Sequence, residues 1–245
     1  MSTLFISDLH LSAKQPAMTR LFLNFLQNQA KKAEALYILG DLFESWIGDD
    51  DETPYHQKIA SALAELKASS ISTYFMPGNR DFLLGQRFTK KTGFKLLEDP
   101  CFISLYGIPT LLTHGDSLCT LDKYYIYFRR LTRTRFLQSL FLKLPLFLRK
   151  KIAHYLRGVD HENMIGDPKF DVVIPELFHT LQHYPAQLII HGHTHQPCIQ
   201  LFPKQSLKQY NFPIRTRIVL SDWSSTQGNA LVVTPKGKYE LIYFS

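Results

Sequence analysis

Short apolar runs alternate with amphipathic stretches through the first 120 residues of the chain. The runs TLFIS, ALYIL and STYFMP, which begin at residues 3, 35 and 72, have the length and side chains of buried strands. Between them, apolar residues recur at helical spacing over residues 19–32 and again over residues 55–69. The order strand, helix, strand, helix predicts an α/β fold with a largely parallel sheet covered by helices.

The second half of the chain returns to strand patterns after a helical stretch. Residues 101–115, CFISLYGIPTLLTHG, predict a hairpin that turns at Tyr106 and Gly107. QLII, from residue 187, predicts another sheet strand, and the runs TRIVLSDW, ALVVT and KYELIYF predict a closing β-meander. We therefore expect a core of residues 1–120 and 171–245, interrupted by a helical insertion, or cap, at residues 121–170. Its apolar run at residues 136–148 is shorter than the ~20 residues that span a bilayer.

The positive charge of the chain is concentrated in this insertion. The net charge is +7, but residues 123–158 hold ten Lys or Arg and no Asp or Glu, so the remainder is slightly acidic. The same segment is rich in Leu, Phe and Tyr. Three interpretations stay open on the residues alone: helices packed on the core with a solvated basic face, a nucleic-acid-binding surface, or helices on an anionic membrane surface.

The cysteines and the N-terminus bear on the compartment. The three cysteines include no CxxC pair and predict no disulfide framework. The N-terminus lacks the basic and apolar regions of a secretory signal. We therefore expect a cytoplasmic protein.

Side chains of the types that bind metals in proteins follow almost every predicted strand. Because the carboxyl ends of strands converge at one edge of an α/β sheet, they are expected to form one site. A mixed set of oxygen and imidazole donors of this size exceeds one tetrahedral zinc and suits two metals sharing a carboxylate, an arrangement that hydrolyses bonds at phosphorus. The candidates are Asp8 and His10 in SDLH, Asp41 in LGD, Asn79 in GNRD, His114 in THGD, and His193 and His195 in GHTH.

Each motif alone also fits a surface turn or a pair of exposed histidines, whereas five in sequence order are hard to produce by chance. Two neighbouring residues are expected to play supporting roles. His191 is predicted to lie in the strand interior. Asp116 is predicted to orient His114 through the imidazole N–H.

The series D-x-H, G-D, G-N-x-D/E, H and G-H-x-H resembles the calcineurin-like metallophosphoesterases. The resemblance implies a four-layer α/β/β/α sandwich and two Mn²⁺ ions. Carried over residue by residue, it assigns one metal to Asp8, His10, Asp41 and His195. It assigns the other to Asp41, Asn79, His114 and His193, so that Asp41 bridges the two and a water between them attacks phosphorus.

Arg80 departs from a pattern common in the wider family, where a histidine follows the asparagine and can protonate a leaving alkoxide. Arginine cannot act as that acid, but it can neutralise charge on phosphate oxygens. A phosphate leaving group departs without a proton. The residue therefore favours cleavage of a phosphoric anhydride over an ester, with Asp41, Arg80 and His114 as the expected catalytic residues.

Longer stretches resemble one branch of this family, which acts in lipid A synthesis on the pyrophosphate of a UDP-glucosamine carrying two acyl chains. They are TLFISDLHLS, ALYILGDLFESWIGDDD, GNRDFLLG, HGDSLCT and LPLFLRKKIA. The likeness implies attack at the UMP-side phosphorus and a monomer on the anionic cytoplasmic face of the inner membrane, with no nucleic-acid partner. The substrate contacts it implies are Asn79, Arg80, Asp122, Tyr125, Arg157 and His195.

The resemblance weakens at residues 159–170, where the branch carries a Ser/Asn/Lys cluster. Asn163 and Lys169 are the candidates to replace that cluster. Two rival functions stay open: a nucleotide or nucleic-acid phosphodiesterase on the same dimetal fold, and a binding module without activity. A module of that kind would be expected to lose metal ligands, and here all seven positions are filled.

Overall fold

Two β-sheets form the centre of the molecule. The computed structural model describes residues 2–158, 171–202 and 216–245. The first sheet has the strand order β11-β10-β1-β2-β3-β4, in which β1 to β4 run parallel and β10 and β11 are antiparallel additions. Its strands are β1 (Thr3–Ile6), β2 (Ala35–Leu39), β3 (Ser72–Met76), β4 (Lys95–Leu96), β10 (Gly228–Val233) and β11 (Tyr239–Phe244).

The second sheet has the order β5-β6-β7-β9-β8. Strands β6, β7 and β9 are parallel, and the two edge strands run antiparallel to them. The predicted hairpin of β5 and β6 is confirmed, with Leu105 opposite Ile108. The strands are β5 (Cys101–Leu105), β6 (Ile108–Thr113), β7 (Leu188–His191), β8 (Cys198–Leu201) and β9 (Thr216–Val219).

Alternate residues of the central strands enter different cores, as period-two side-chain direction requires. In β1, Leu4 and Ile6 pack against helices α1 (Pro16–Asn28), α2 (Pro54–Ala68) and α3 (Gln86–Thr92), whereas Phe5 lies between the two sheets. In β6, Leu112 joins the core between the sheets, and Leu111 packs under helix α7 (Ile174–Leu181). The layers are helix, sheet, sheet and helix, so the predicted four-layer sandwich is confirmed.

The helix predicted over residues 19–32 begins earlier and ends earlier. It runs as α1 over Pro16–Asn28, with proline in its first turn where no N–H is needed, and a short 3₁₀ turn, Ala30–Lys32, follows. The helix predicted over residues 55–69 is α2, whose N-terminus is capped by the Thr53 hydroxyl accepting from the His56 N–H. Helix α3 and strands β4 and β8 were not predicted from the sequence.

The prediction of a closing β-meander is wrong. Strand β9 pairs with β7 and β8 in the second sheet, whereas β10 and β11 form a hairpin in the first. The alternation of residues identifies each strand but carries no information on its partner. All four residues of β9 are buried, which suits an inner strand rather than a meander with an open face.

Three helices follow the 3₁₀ turn Asp116–Leu118: α4 (Lys123–Thr132), α5 (Arg135–Leu142) and α6 (Leu146–Gly158). No helix in the described part of the chain combines the length and apolarity needed to cross a bilayer. Residues 159–170, including the candidates Asn163 and Lys169, lie outside the described residues.

Candidate metal centre and active site

The candidate ligands lie just beyond the carboxyl ends of β1, β2, β3, β6 and β7. Five of them adopt left-handed backbone conformations, with φ between 49° and 69°. Such conformations cost residues with a side chain about 1 kcal/mol or more each, and they cluster at functional sites. The five are Asp8, His10, Asp41, His193 and His195. These residues are therefore not extended, and strand alternation does not explain how their side chains converge.

Two glycines of the motifs leave space that ligand side chains fill. Gly40 has φ +90°, and a Cβ there would overlap Nδ1 of His114. A Cβ on Gly78 would overlap Oδ1 of Asp41. Close approach of the loops thus requires glycine at both positions, and the left-handed backbone requires it at Gly40 as well.

Asp41 lies between the two histidines that are assigned to different metals. Its Oδ1 accepts a hydrogen bond from the Arg80 backbone N–H at 2.8 Å. Its Oδ2 lies 3.9 Å from Nε2 of His10 and 3.8 Å from Nε2 of His114. One carboxylate oxygen is therefore held by the protein, and the other faces both histidines.

Asp8, His10 and His195 form one group whose possible ligand atoms lie within 4.8 Å of one another. The Asp8 carboxylate is fully buried, and its Oδ2 accepts from the Ser7 hydroxyl at 2.6 Å and the His193 N–H at 2.9 Å. Its Oδ1 lies 3.5 Å from Nε2 of His195. Burial alone would raise the pKa of Asp8, but hydrogen bonding and the positive charge of His195 hold it below its usual range.

His114 and His193 both contact the side chain of Asn79. Oδ1 of Asn79 lies 2.9 Å from Nε2 of His114 and 3.1 Å from Nδ1 of His193. Although burial opposes it, the charges of Asp41 and Asp8 raise the pKa of His114 to about 9. The same carboxylates that favour a proton on the buried His114 imidazole would also favour a metal cation at this site.

The role predicted for Asp116 is wrong. Nδ1 of His114 donates to the Leu39 carbonyl at 2.9 Å, so the backbone of β2 orients the ring. Asp116 instead accepts from the Tyr125 hydroxyl at 2.7 Å and from Nε of Arg129 at 2.8 Å. The backbone is left-handed at Gly115 and enters a 3₁₀ turn at Asp116, so the Asp116 carboxylate faces α4 rather than His114.

His191 lies in the interior, as expected. Its Nε2 accepts from Nε of Arg217 at 2.9 Å, so Nδ1 carries the proton that is donated to the Gly192 carbonyl at 2.8 Å. Burial and the neighbouring Arg217 charge lower its pKa to about 3. A neutral imidazole held at both nitrogens is a structural group.

The chemistry of the donor set fits divalent cations. Within the described residues, three buried side-chain atoms of the first group have no hydrogen-bond partner: Oδ1 of Asp8 and both ring nitrogens of His10. Buried polar atoms are normally paired, and these are carboxylate oxygen and imidazole nitrogen, which are donors that divalent metals prefer.

Asp81 is a supporting residue to which sequence reasoning gave no role. Its buried carboxylate accepts from the backbone N–H groups of Gly78 and Leu42, both at 2.8 Å, and of Asp41 and Phe43, both at 3.3 Å. It thereby joins the loop after β2 to the loop after β3. Its place as the last residue of GNRD was the only sequence signal.

A cavity of about 710 Å³ extends from these loops into the insertion. Asn79, Arg80, Asp122 and Tyr125 line it on the side of the candidate ligands. Asp122 also caps α4, accepting from the Tyr125 N–H at 2.8 Å, and the Tyr125 ring lies 6.1 Å from that of His193. The deeper walls are mostly apolar and include Trp46, Phe82, Phe128, Leu131, Leu140, Phe141, Leu144, Ile152 and Leu156. Arg157 is in the last turn of α6, and its side chain lies outside the described part of the chain.

This sandwich, with acidic, amide and imidazole donors gathered at strand ends, is the architecture of a calcineurin-like phosphoesterase. Residues 1–197 match that family, and the chain belongs to it. A crystal structure of a dimetal phosphatase from Danio rerio has the same fold, with a TM-score of 0.51 at 13% identity, covering 100% of this chain and 99% of that one.

Within the family, the chain is similar to proteins named UDP-2,3-diacylglucosamine hydrolase, as its longer motifs predicted. The protein of that name from Aeromonas hydrophila is 48% identical over 96% of this chain and 95% of its own length. The Coxiella burnetii protein is 47% identical, over 99% and 97% of the two chains. The Klebsiella pneumoniae protein is 44% identical, over 100% and 99%.

Proposed function

We propose that the protein hydrolyses the pyrophosphate bond of UDP-2,3-diacylglucosamine, giving UMP and 2,3-diacylglucosamine 1-phosphate (lipid X) in lipid A biosynthesis. The observation that carries the proposal is the cavity of about 710 Å³, which joins the candidate metal ligands to an apolar chamber among the insertion helices. A substrate with a diphosphate between a nucleoside and a diacylated sugar needs a charged site and an apolar one side by side. The similarity to hydrolases named for that substrate supports the same assignment.

The residues proposed to hold two Mn²⁺ ions are Asp8, His10, Asp41 and His195 for one and Asp41, Asn79, His114 and His193 for the other. The position of Asp41 Oδ2, 3.9 Å from His10 and 3.8 Å from His114, supports its sharing between them. When bound, two such cations supply a water of lowered pKa and neutralise charge on phosphate oxygens. The oxygen and nitrogen donors suit manganese.

Arg80 is proposed to stabilise the charge that develops on the diphosphate. Its backbone is fixed at both ends: the N–H donates to Asp41 at 2.8 Å and the carbonyl accepts from the Trp46 N–H at 3.0 Å. Its side chain lines the cavity beside Asn79. A P–O bond forms from water to the UMP-side phosphorus, the bond from that phosphorus to the bridging oxygen breaks, and the water proton is released to solvent. The sugar 1-phosphate leaves as an anion, so a permanently charged guanidinium suits the step better than an acid.

The headgroup contacts are proposed to come from Asn79, Arg80, Asp122, Tyr125, Arg157 and His195. We further place the protein in the cytoplasm as a monomer on the anionic face of the inner membrane, with no nucleic-acid partner. Exposed aromatic side chains of the insertion support the membrane assignment, since Tyr124 is 92% exposed, Phe136 77% and Phe147 64%. Sedimentation with anionic vesicles tests it: replacement of Phe136 and Phe147 by serine should weaken the binding that persists at high salt, and a wild-type protein that does not sediment with the vesicles would contradict the assignment.

One turnover assay tests the catalytic proposal. Purified protein with Mn²⁺ is given the diacylated UDP-sugar, its deacylated analogue and a simple phosphodiester. We expect UMP and lipid phosphate in equal amounts from the first substrate. We expect kcat/KM lower by roughly a hundredfold for the second, because binding of the acyl chains contributes to orienting the diphosphate. Equal hydrolysis of all three would refute the lipid assignment and favour a general phosphodiesterase.

A further inference from the structure

Arg133, just after helix α4, bonds the insertion to the loop that carries two candidate site residues. Its Nη2 donates to the Gly78 carbonyl at 2.9 Å, directly before Asn79 and Arg80. Its guanidinium also lies over the Phe82 ring, 5.2 Å from the centroid. A residue of the insertion therefore contacts the loop between β3 and α3 at two points, one on each side of Asn79 and Arg80.

The guanidinium of Arg133 is itself held by a buried carboxylate. Nη2 lies 3.5 Å from Oδ2 of Asp116, which is fully buried. The same oxygen accepts from the Tyr125 hydroxyl at 2.7 Å and from Nε of Arg129 at 2.8 Å, and Arg129 also pairs with Asp99 at 3.0 Å. With several partners on each side, this network has little freedom to rearrange.

We infer that Arg133 is a positioning residue for the proposed hydrolysis. By fixing the Gly78 carbonyl, it holds the Asn79 side chain against His114 and the Arg80 side chain at the cavity. The inference rests on the proposed function, but the bond to Gly78 requires no substrate. Arg133 also lines the cavity, and a direct contact with substrate is the alternative role.

The two roles predict different measurements. Arg133→Met removes both bonds and keeps the apolar stem, whereas Arg133→Lys keeps the charge on a shorter side chain without the planar guanidinium that lies over Phe82. Arg130→Met is the matched control, because Arg130 is an exposed arginine in the last turn of α4, three residues before Arg133. Mn²⁺ affinity is measured on substrate-free protein from the paramagnetic resonance of free Mn²⁺, and kcat and KM are measured on the diacylated UDP-sugar in detergent.

We expect Arg133→Met to weaken Mn²⁺ binding and to lower kcat by roughly tenfold or more each, with KM changed less than about twofold, as for residues that orient ligands through a neighbour. Arg133→Lys should fall between, and Arg130→Met should match the wild type. If Arg133→Met raises only KM, or changes neither quantity, the inference is overturned.

If Arg133→Met does not fold, as judged by thermal unfolding, the Arg133→Lys variant decides by the same two quantities. The proposed function fails separately. A wild-type protein that binds Mn²⁺ but leaves the UDP-sugar intact refutes the hydrolysis, while the Mn²⁺ affinities of the variants still test the role of Arg133.

Discussion

Arg149 of helix α6 bonds the insertion to the loop after β2. The substitution Arg149→Met should weaken the attachment of α6 to that loop. The side chain is only 2% exposed. Its Nε donates to the Leu144 carbonyl at 2.9 Å and Nη1 to the Ile47 carbonyl at 2.7 Å. Both terminal nitrogens bond the carboxylate of Asp50. A buried guanidinium is tolerated here because nearly every donor it presents has an acceptor.

The cost of the substitution follows from these partners. The methionine keeps the packing of the stem but leaves two shielded carbonyls without their donor, at about 1–2 kcal/mol each. The carboxylate of Asp50 is 48% exposed and regains water, so its ion pair adds at most about 1 kcal/mol. We therefore expect the closed position of α6 to lose about 2–5 kcal/mol.

Native-state hydrogen exchange of the α6 amides measures this directly. A loss of about 2–5 kcal/mol corresponds to protection lower by roughly 30- to 4,000-fold. Lys151→Met, at an exposed neighbouring position, should leave protection unchanged. Asp50→Asn should remove only the ion-pair part.

The dependence on pH separates the two contributions. The hydrogen bonds from Arg149 hold the pKa of Asp50 below its usual 3.8. The ion-pair contribution is therefore fully present above that unfolded-state value and is lost as pH falls through the lower folded-state value. The difference between wild type and Arg149→Met should shrink there without vanishing, because the carbonyl bonds persist. A difference below about 0.5 kcal/mol at neutral pH would refute the reasoning, since water would then satisfy both carbonyls.

Three further predictions concern the proposed metal centre. Asp41→Ala should lower kcat by roughly 10²–10³-fold and bound Mn²⁺ from two ions to at most one per chain by elemental analysis; activity lost in Asp8→Ala but kept in Asp41→Ala would contradict bridging. Dialysis against a chelator should abolish turnover, and titration with Mn²⁺ should restore it; full activity of metal-free protein would refute the metal assignment. Hydrolysis in ¹⁸O-water should place the label in UMP by mass spectrometry, and label in the sugar phosphate would reverse the proposed direction of attack.

The parts of the fold that could be predicted from sequence are those encoded locally. A short apolar run predicts each of the strands β1, β2 and β3, and candidate ligands lie just after the end of each run. The partner of β9 could not be predicted, because pairing with β7 joins residues that are distant along the chain. Strand β8 was also missed, because its run CIQL is only four residues long and lies fully exposed at the edge of the sheet, where no alternation of buried and polar residues marks a strand.

Within the candidate site, the sequence identifies the candidate ligands but not the groups that orient them. His114 is oriented by the Leu39 carbonyl, and a backbone acceptor leaves no mark in a pattern of side chains. Asp81 binds four backbone N–H groups of two loops, which became visible only once those loops were adjacent. The left-handed backbone conformations of Asp8 and His10 could not be predicted from the sequence either, since neither residue type requires them.

The basic residues of the insertion include cations that bond carboxylates of the protein itself and cations that are exposed, and the sequence does not distinguish the two groups. Of the ten cations at residues 123–158, four bond carboxylates of the remaining chain. They are Arg129, Arg133, Arg149 and Lys150, whose partners are Asp99, Asp116, Asp50 and Asp51.

Part of the charge asymmetry is therefore an internal complementarity that holds the helices over the cavity. Among the described side chains of the insertion, five other cations are exposed: Lys123, Arg130, Arg135, Lys143 and Lys151. Near an anionic surface each contributes about 1 kcal/mol, so these five supply about 5 kcal/mol of electrostatic attraction in the proposed vesicle binding. High salt should abolish this electrostatic part, and the binding that remains should depend on the exposed aromatic side chains.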